Sequence, residues 1–257
     1  MNFIEHIGSS AIKGTAEAGR LAMFFITVWK QMFKFPLYLR LIIKQCEHIG
    51  VNSLPIVLLT AFFTGGVLAL QTYNGFDNAT VAASQLGSVV ALSILRELGP
   101  VLASLMVAGR VGAAIAAEIG TMKVTEQIDA LVTLATNPVK YLVIPRVLAC
   151  MMTLPLLVVV ANIVGITGGY VVATDVLGLN AHTYMDSSFA SVEMDDIMLG
   201  VVKAVVFGFI IGFMGCYHGY NTKGGAEGVG RATTVAVVYA SVGILVSDYF
   251  ITSWFMS

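Results

Sequence analysis

Apolar residues run along the chain in five long stretches that are separated by shorter polar segments. We place these stretches at roughly 51–73, 84–109, 147–173, 197–218 and 233–254. Each is long enough to cross the hydrocarbon core of a bilayer as a helix, which takes about 20 residues. The pattern predicts an all-α integral membrane protein with about five membrane-embedded helices.

The first apolar stretch differs from the others because it contains helix-disfavouring residues in its interior. It reads VNSLPIVLLTAFFTGGVLALQTY and includes Pro55, Gly65 and Gly66. Membrane helices tolerate such residues when neighbouring groups satisfy the freed backbone. We therefore expect this segment to be bent or partly re-entrant rather than a straight rod.

The N-terminal 50 residues are amphipathic and are not expected to span. One helical stripe is apolar and consists of Phe24, Phe25, Val28, Trp29, Met32 and Phe33. Pro36 should end this helix, and a second should begin at Leu37. Both are expected to lie in the inner interface; alternatively, the first packs on the protein's own flank. The chain thus divides into interfacial helices, 1–50, and a transmembrane domain, 51–257.

Charge is scarce and unevenly placed. Only 11% of the residues are charged, whereas soluble domains carry about a quarter. The loops at about 74–83 and 174–196 contain no Lys or Arg, and the segments on the other side hold Lys13, Arg20, Lys30, Lys34, Arg40, Lys44, Arg110, Lys123, Lys140, Arg146, Lys223 and Arg231. The positive-inside rule predicts a cytoplasmic N-terminus and an external C-terminus. Lys203 is expected to snorkel from a helix end, which leaves Arg96 within a span.

Arg96 stands beside Glu97 in the apolar run SILRELGPVL, residues 93–102. A charged residue at the bilayer centre costs roughly 2.5–3.5 kcal/mol, so both should face protein or a water-filled cavity. Helical neighbours diverge by about 100°, so each needs a different partner. Gly99 and Pro100 favour a kink. The charges either form the wall of a cavity that meets a polar head group, or lock this helix to its neighbours.

The longest inner connection, about 110–146, contains a second short amphipathic helix at about 125–136. Thr125 can cap it, and Glu126 and Asp129 place negative charge in its first turn, where the helix dipole favours it. Asn137 and Pro138 should end it. A helix parallel to the membrane in this loop is suited to contact a soluble partner.

Catalytic and nucleotide-binding patterns are missing from the sequence. There is no G-x-x-x-x-G-K-[ST] phosphate loop, and the glycine-rich run GGAEGVG lacks its Lys-Ser/Thr ending. The four histidines are separated from one another and from paired carboxylates, so neither a metal site nor an enzyme is expected. Any ATP-driven work would have to come from a partner.

Two runs make the chain resemble a known family. ALSILRELGPVLASLMVAGRVGAAIAAEIGTMKVTEQIDAL (91–131) and GGAEGVGRATTVAVV (224–238) are similar to the MlaE permeases, the membrane subunits of bacterial ABC transporters that move phospholipids between the inner and outer membranes. The resemblance implies a homodimer in the inner membrane that maintains outer-membrane lipid asymmetry. It also implies an ATPase partner that holds ATP and Mg, a periplasmic ring of MCE-domain subunits and, in some systems, a STAS-domain subunit. No cofactor in this chain and no nucleic-acid partner are expected.

The resemblance also implies roles for individual residues. The cavity that receives lipid would be lined by Leu68, Arg96, Glu97 and Leu98, with Gly99 and Pro100 as its hinge. The coupling helix that contacts the ATPase would present Glu126, Gln127 and Asp129. The main alternative is an ion-coupled secondary transporter that uses Glu97, with Asp248 as a lone further acidic group. A lipid-modifying enzyme lacks a nucleophile–base pair, and a pure scaffold gives no reason for a mid-membrane Glu97.

Overall fold

The structure, a computed structural model, describes residues 3–34 and 38–256. Within these ranges ten α-helices follow one another: α1 Phe3–Met32, α2 Leu39–Asn74, α3 Ala79–Ser93, α4 Gly99–Val107, α5 Ala113–Val124, α6 Gln127–Thr133, α7 Ile144–Val171, α8 Ala181–Ser191, α9 Met194–Tyr220 and α10 Gly225–Met256. Four five-residue π-helical turns connect or extend them: Ile94–Leu98, Ala108–Gly112, Val139–Val143 and Val172–Val176.

Five helical segments of the described residues are long and apolar enough to cross a membrane. They are Leu39–Asn74, Thr80–Val124, Val139–Val176, Met194–Tyr220 and Gly225–Phe255. Each contains one of the five stretches drawn from the sequence, and the described ranges contain no strand. The expected all-α membrane fold is confirmed.

The first spanning helix, α2, differs from its expected form. It continues without a break from Leu39 to Asn74 and includes Pro55, Gly65 and Gly66. The expectation of a re-entrant segment is therefore wrong. The second interfacial helix is likewise not a separate element, because α2 passes straight through position 50, where the sequence had suggested a domain boundary.

The N-terminal helix α1 packs on the protein's own flank. Val28 and Met32 are buried in the main core, and the Phe24 ring contacts the rings of Phe213 and Tyr217 on α9. Other members of the predicted apolar stripe, including Trp29, are exposed, as suits a surface that faces lipid. Pro36 and Leu37, expected to separate two helices, lie outside the described residues.

Small residues let the membrane helices approach one another closely, as their spacing predicts. A Cβ on Gly65 of α2 would fall on the carbonyl oxygen of Gly165 in α7, and one on Gly168 would fall on the carbonyl oxygen of Phe62. Between α7 and α9, a Cβ on Gly208 would lie 2.6 Å from the carbonyl oxygen of Cys150. Helices α2, α7 and α9 are thus in backbone contact, which holds the π turn beside them in place.

The short helix α8 closes the end of the bundle that carries no basic residues. Ser88 of α3 donates a hydrogen bond to the carbonyl of Ser187, at 2.9 Å. Tyr184 is buried, and its hydroxyl donates to the carbonyl of Ile166 at 3.2 Å. Burial raises the pKa of Tyr184, so its hydroxyl remains a protonated donor.

Candidate functional site

Arg96 and Glu97 lie in the π turn Ile94–Leu98, which joins α3 to α4 inside the second spanning segment. Both side chains are partly exposed, Arg96 by 36% and Glu97 by 39%. Gly99 begins α4, and Pro100 lies in its first turn. π-helical turns within α-helices occur frequently at functional sites. This one holds three of the four predicted cavity residues, Arg96, Glu97 and Leu98, and directly precedes the predicted hinge.

Arg96 pairs with an acidic residue at the start of α9. Its Nε donates to Oδ1 of Asp196, whose side chain is only 6% exposed. The other oxygen of Asp196 accepts the backbone N–H of Glu193 at 3.0 Å, and the two form a capping box. In the sequence, Asp196 is placed only at the end of the loop at about 174–196, which contains no Lys or Arg. The Glu193-x-x-Asp196 spacing before an apolar run was the signal that could have revealed its capping role.

Glu97 pairs with Lys203 of α9. Lys203 Nζ lies 2.8 Å from Glu97 Oε2 and 2.8 Å from Asp248 Oδ1 of α10, and the Lys203 side chain is fully buried. The Thr252 hydroxyl donates to Glu97 Oε1 at 3.1 Å. The expectation that Lys203 snorkels to the interface is wrong, because it lies nine residues inside α9 among carboxylates. Asp248 is not a lone acidic group either.

These five residues, Arg96, Glu97, Asp196, Lys203 and Asp248, form a buried charge cluster that joins the π turn to α9 and α10. The prediction that Arg96 and Glu97 have different partners is confirmed. Two cations face three carboxylates, so the cluster has a formal charge of −1. Removing charges from water is costly unless geometry and hydrogen bonds compensate. These contacts hold the helices together, which agrees with one of the two interpretations of Arg96 and Glu97 drawn from the sequence. Their role in a transport cavity remains a prediction.

A narrow cleft lies beside the π turn, between α2, α4 and α7. It is lined by Val57, Thr60, Ala61, Thr64, Ile94, Leu98, Gly99, Leu102, Ala103, Ala161 and Gly165. Its free space is about 20 Å³, enough for roughly one water molecule. A Cβ on Gly99 would fall on the amide oxygen of the buried Asn162. This cleft by itself is therefore far too small for a lipid.

The structure places the two predicted apolar wall residues differently. Leu98 lines the cleft directly. Leu68 lies one helical turn beyond Thr64 on the same face of α2, where it packs against a second apolar cluster that includes Ile94. Ile94 also lines the cleft, so Leu68 extends this wall toward the end of α2.

The predicted cytoplasmic helix is present but shorter than expected. It is α6, Gln127–Thr133, instead of about 125–136. Thr125 does not cap it, because its hydroxyl donates to the carbonyl of Thr121. Glu126 stands before the helix with φ 59°, and Ala135 after it has φ 54°. Left-handed backbone at both ends stops the helix before Asn137, whose side chain instead accepts the amide of Val139.

The exposed face of α6 carries the predicted coupling residues Glu126, Gln127 and Asp129. Asp129 pairs with Lys123 at 3.0 Å; the Asp129 side chain is largely solvent-accessible, and the Lys123 side chain is partly exposed. The opposite face inserts Ile128, which is buried, into the main core. Helix α6 is therefore anchored by one apolar residue and presents its charges outward.

Comparison with known proteins identifies this architecture. The family model described as Permease MlaE matches residues 42–254, which include all five spanning segments except the N-terminal end of the first and the C-terminal end of the fifth. The chain belongs to the MlaE permease family. The predicted resemblance is confirmed, and the chain is thus the transmembrane component of an ABC transporter rather than its ATPase, and a multi-pass inner-membrane protein.

Two bacterial relatives match this MlaE permease over nearly their full length, and a chloroplast relative matches it over 64% of its length. A probable ABC transporter permease protein of Rickettsia felis is 52% identical over 255 residues, which cover 99% of this chain and 98% of the relative. The intermembrane phospholipid transport system permease protein MlaE of Haemophilus influenzae is 37% identical over 258 residues, 98% of this chain and 97% of the relative. Protein trigalactosyldiacylglycerol 1, chloroplastic, of Arabidopsis thaliana is 39% identical over 225 residues, 88% of this chain and 64% of the relative.

Proposed function

We propose that this permease moves phospholipids between the inner membrane and a periplasmic partner, and thereby maintains the lipid asymmetry of the outer membrane. The observation that carries the proposal is the near full-length match to the Haemophilus influenzae permease, whose name specifies intermembrane phospholipid transport. A match over 97% of that relative leaves no large segment of it without a counterpart here.

The site supports this function through its two kinds of surface. The cleft is lined mainly by apolar residues such as Val57, Leu98 and Leu102, which suit acyl chains. Arg96 and Glu97 are partly exposed beside it and could contact a charged head group. Leu68 extends the apolar wall, and Gly99 and Pro100 form the hinge at which the wall changes shape.

A homodimer would supply the missing volume. The cleft of one chain has room for about one water molecule, whereas a phospholipid needs many times more. Two copies facing each other across their clefts would enclose a shared cavity. The proposed partners are an ABC ATPase on the inner side, which holds ATP and Mg, a ring of MCE-domain subunits in the periplasm and, in some systems, a STAS-domain subunit. No cofactor in this chain and no nucleic acid take part.

Helix α6 is the proposed contact for the ATPase. Its polar residues Gln127 and Asp129 are exposed, as is Glu126 just before it, while Ile128 ties it to the membrane core. A push on α6 would therefore reach the spanning helices. This arrangement requires the N-terminus to be cytoplasmic and the C-terminus periplasmic, as the distribution of Lys and Arg predicts.

The ion-coupled alternative is less well supported. It needs Glu97 to exchange an ion or a proton with water during each cycle. In the structure, both carboxylate oxygens of Glu97 already accept hydrogen bonds, from Lys203 at 2.8 Å and Thr252 at 3.1 Å. Membership of an ABC transporter permease family supplies a different energy source.

The decisive experiment is gentle detergent purification of the tagged chain from its native membrane, followed by mass spectrometry of bound proteins and lipids. We expect an ATPase, an MCE-domain protein and phospholipid. The complex is then reconstituted in proteoliposomes, and ATP-dependent transfer of labelled phospholipid to acceptor vesicles is measured. Glu97→Gln should lower the transfer rate about tenfold, equivalent to roughly 1.4 kcal/mol. Recovery of the chain with neither lipid nor ATPase would refute the proposal.

A further inference from the structure

Pro100 creates a local defect in the hydrogen bonding of the second spanning segment. In an α-helix the amide of residue 100 would donate to the carbonyl of Arg96, four residues earlier. Proline has no amide hydrogen, and its ring collides with that carbonyl. The π turn Ile94–Leu98 widens the helix at this point, and the amide of Gly99 bonds to Ile94. The carbonyl of Arg96 consequently turns toward α9.

Lys203 of α9 occupies the place of the missing donor. Its Nζ donates to the Arg96 carbonyl at 2.8 Å and to Glu97 Oε2 at 2.8 Å. The third contact is an ion pair with Asp248 Oδ1, also at 2.8 Å. An ammonium group has three donors; two of them form these hydrogen bonds, and the contact with Asp248 Oδ1 is an ion pair without hydrogen-bond geometry. The side chain is fully buried, so water does not compete for these contacts.

The carbonyl of Leu95, one residue before Arg96, also lacks a backbone donor, and a different contact accommodates it. In an α-helix the Leu95 carbonyl would accept the amide of Gly99, but that amide donates to the Ile94 carbonyl. In the π-helical pattern the Leu95 carbonyl would face the amide position of Pro100, which has no hydrogen to donate. The Leu95 carbonyl instead approaches Gly200, where a Cβ would be only 2.8 Å away. Gly200 and Lys203 lie three residues apart on one face of α9, so this face is shaped to receive both freed carbonyls.

We propose that Lys203 is a positioning residue whose ammonium replaces the amide hydrogen that Pro100 lacks, and thereby fixes the π turn that holds Glu97 at the cavity wall. The same ammonium ties the turn to Asp248 of α10. The π turn, α9 and α10 are then joined at a single atom, and the wall moves with them. The local hydrogen-bonding argument stands by itself, whereas the effect on lipid transfer rests on the proposed function.

A double-mutant cycle tests the replacement of the amide. Lys203→Met removes the ammonium, and Pro100→Ala restores an amide hydrogen for the Arg96 carbonyl. We expect Lys203→Met to lower the thermal unfolding midpoint of the purified complex. Adding Pro100→Ala to Lys203→Met should raise the midpoint by about 3 °C, the effect of one hydrogen bond. Pro100→Ala in the wild-type background should give no such gain, because Lys203 already satisfies the carbonyl.

The matched control is Pro155→Ala in α7, which also restores an amide inside a spanning helix but offers it to a different carbonyl. Equal effects of Pro100→Ala in both backgrounds, or equal rescue by Pro155→Ala, would overturn the proposal. If Lys203→Met is too unstable to purify, the amount recovered from membranes becomes the measurement. Pro100→Ala must then raise the recovery of Lys203→Met, and Pro155→Ala must not; equal recovery would likewise overturn it.

Lipid transfer separates positioning from mere stability. In Lys203→Met/Pro100→Ala the carbonyl is satisfied, but Glu97 still lacks its cation. We expect transfer to stay at least about tenfold below wild type although the midpoint recovers. Wild-type transfer by this double variant would refute the positioning of Glu97 by Lys203 and leave the proposed function intact. Absence of transfer by the wild-type complex would instead refute the proposed function, while the stability cycle would still test the hydrogen bond.

Discussion

The buried charge cluster and the surface of α6 both contain ion pairs, but the two regions use charge differently. In the cluster, the Lys203 side chain is fully buried and the Asp196 side chain is 6% exposed. At α6, Lys123 and Asp129 are 33% and 58% exposed. Breaking a buried pair leaves a charge with no water to solvate it, whereas exposed pairs contribute about 0–1 kcal/mol. The ion pairs of the cluster therefore hold helices together, whereas the charged groups on α6 remain available to a partner.

The largest expected effect comes from breaking the pair between Arg96 and Asp196. Asp196→Ala also removes the capping box at the start of α9. We expect a loss of about 3 kcal/mol in the free energy of unfolding, toward the lower end of values for buried pairs because Arg96 is partly exposed. Thermal unfolding in detergent measures this loss. The neighbouring Asp195 is exposed, so Asp195→Ala should change stability by under about 0.5 kcal/mol; equal losses would contradict the comparison.

A smaller effect is expected from two glycine substitutions, one at a tight helix contact and one at an open position. Gly65→Ala would push a Cβ into the backbone of α7, and such overpacking costs about 2 kcal/mol. Gly230, near the inner end of α10, has open space around its Cα. Gly230→Ala should be neutral or stabilise by up to about 1 kcal/mol through helix propensity. Unfolding midpoints of the two variants that moved in the same direction would contradict the packing described here.

Substitutions on the surface of α6 should change the binding of the ATPase rather than the stability of the permease. Replacing Glu126 and Asp129 with Lys reverses the charge presented to a partner. We expect retention of the ATPase during purification to fall about tenfold, equivalent to roughly 1.4 kcal/mol, with an unchanged unfolding midpoint for the permease. Quantitative mass spectrometry of the purified complex provides the measurement. Undiminished retention would remove α6 from the interface.

The smallest effect should come from the pair between Lys123 and Asp129. Lys123→Ala removes this solvent-accessible contact, and we expect a change of at most about 0.5 kcal/mol in the free energy of unfolding. The midpoint should also be insensitive to added salt, since little attraction is lost. A loss as large as that of Asp196→Ala would show that burial does not explain the difference between the two regions.

The sequence predicted the features that depend on composition and local order. Five apolar stretches gave the five spanning helices, and the adjacency of Arg96 and Glu97 led to the expectation of separate partners. The charged run before Pro100 also lies beside a cleft, whose role in lipid transport stays a prediction. These inferences needed only the cost of a charge in lipid and the geometry of a helix.

The sequence could not predict which distant residues meet. Lys203 and Asp248 are separated from Glu97 by 106 and 151 positions, and their pairing depends on how α9 and α10 pack. Hydropathy alone also cannot distinguish an interrupted helix from a continuous one, and α2 continues through Pro55. The ends of α6 were misjudged because left-handed backbone at Glu126 and Ala135 has no clear sequence signal in residues other than glycine.

The continuity of α2 has a mechanical consequence. A helix of 36 residues is about 54 Å long, which exceeds the about 30 Å of the hydrocarbon core. It therefore acts as a lever whose two arms emerge on opposite sides of the bilayer. A tilt of about 5° around Gly65 would move the Leu39 end, about 39 Å away, by roughly 3 Å and the Asn74 end, about 14 Å away, by roughly 1 Å. The backbone contact of Gly65 with α7 lies between the arms and would serve as the fulcrum.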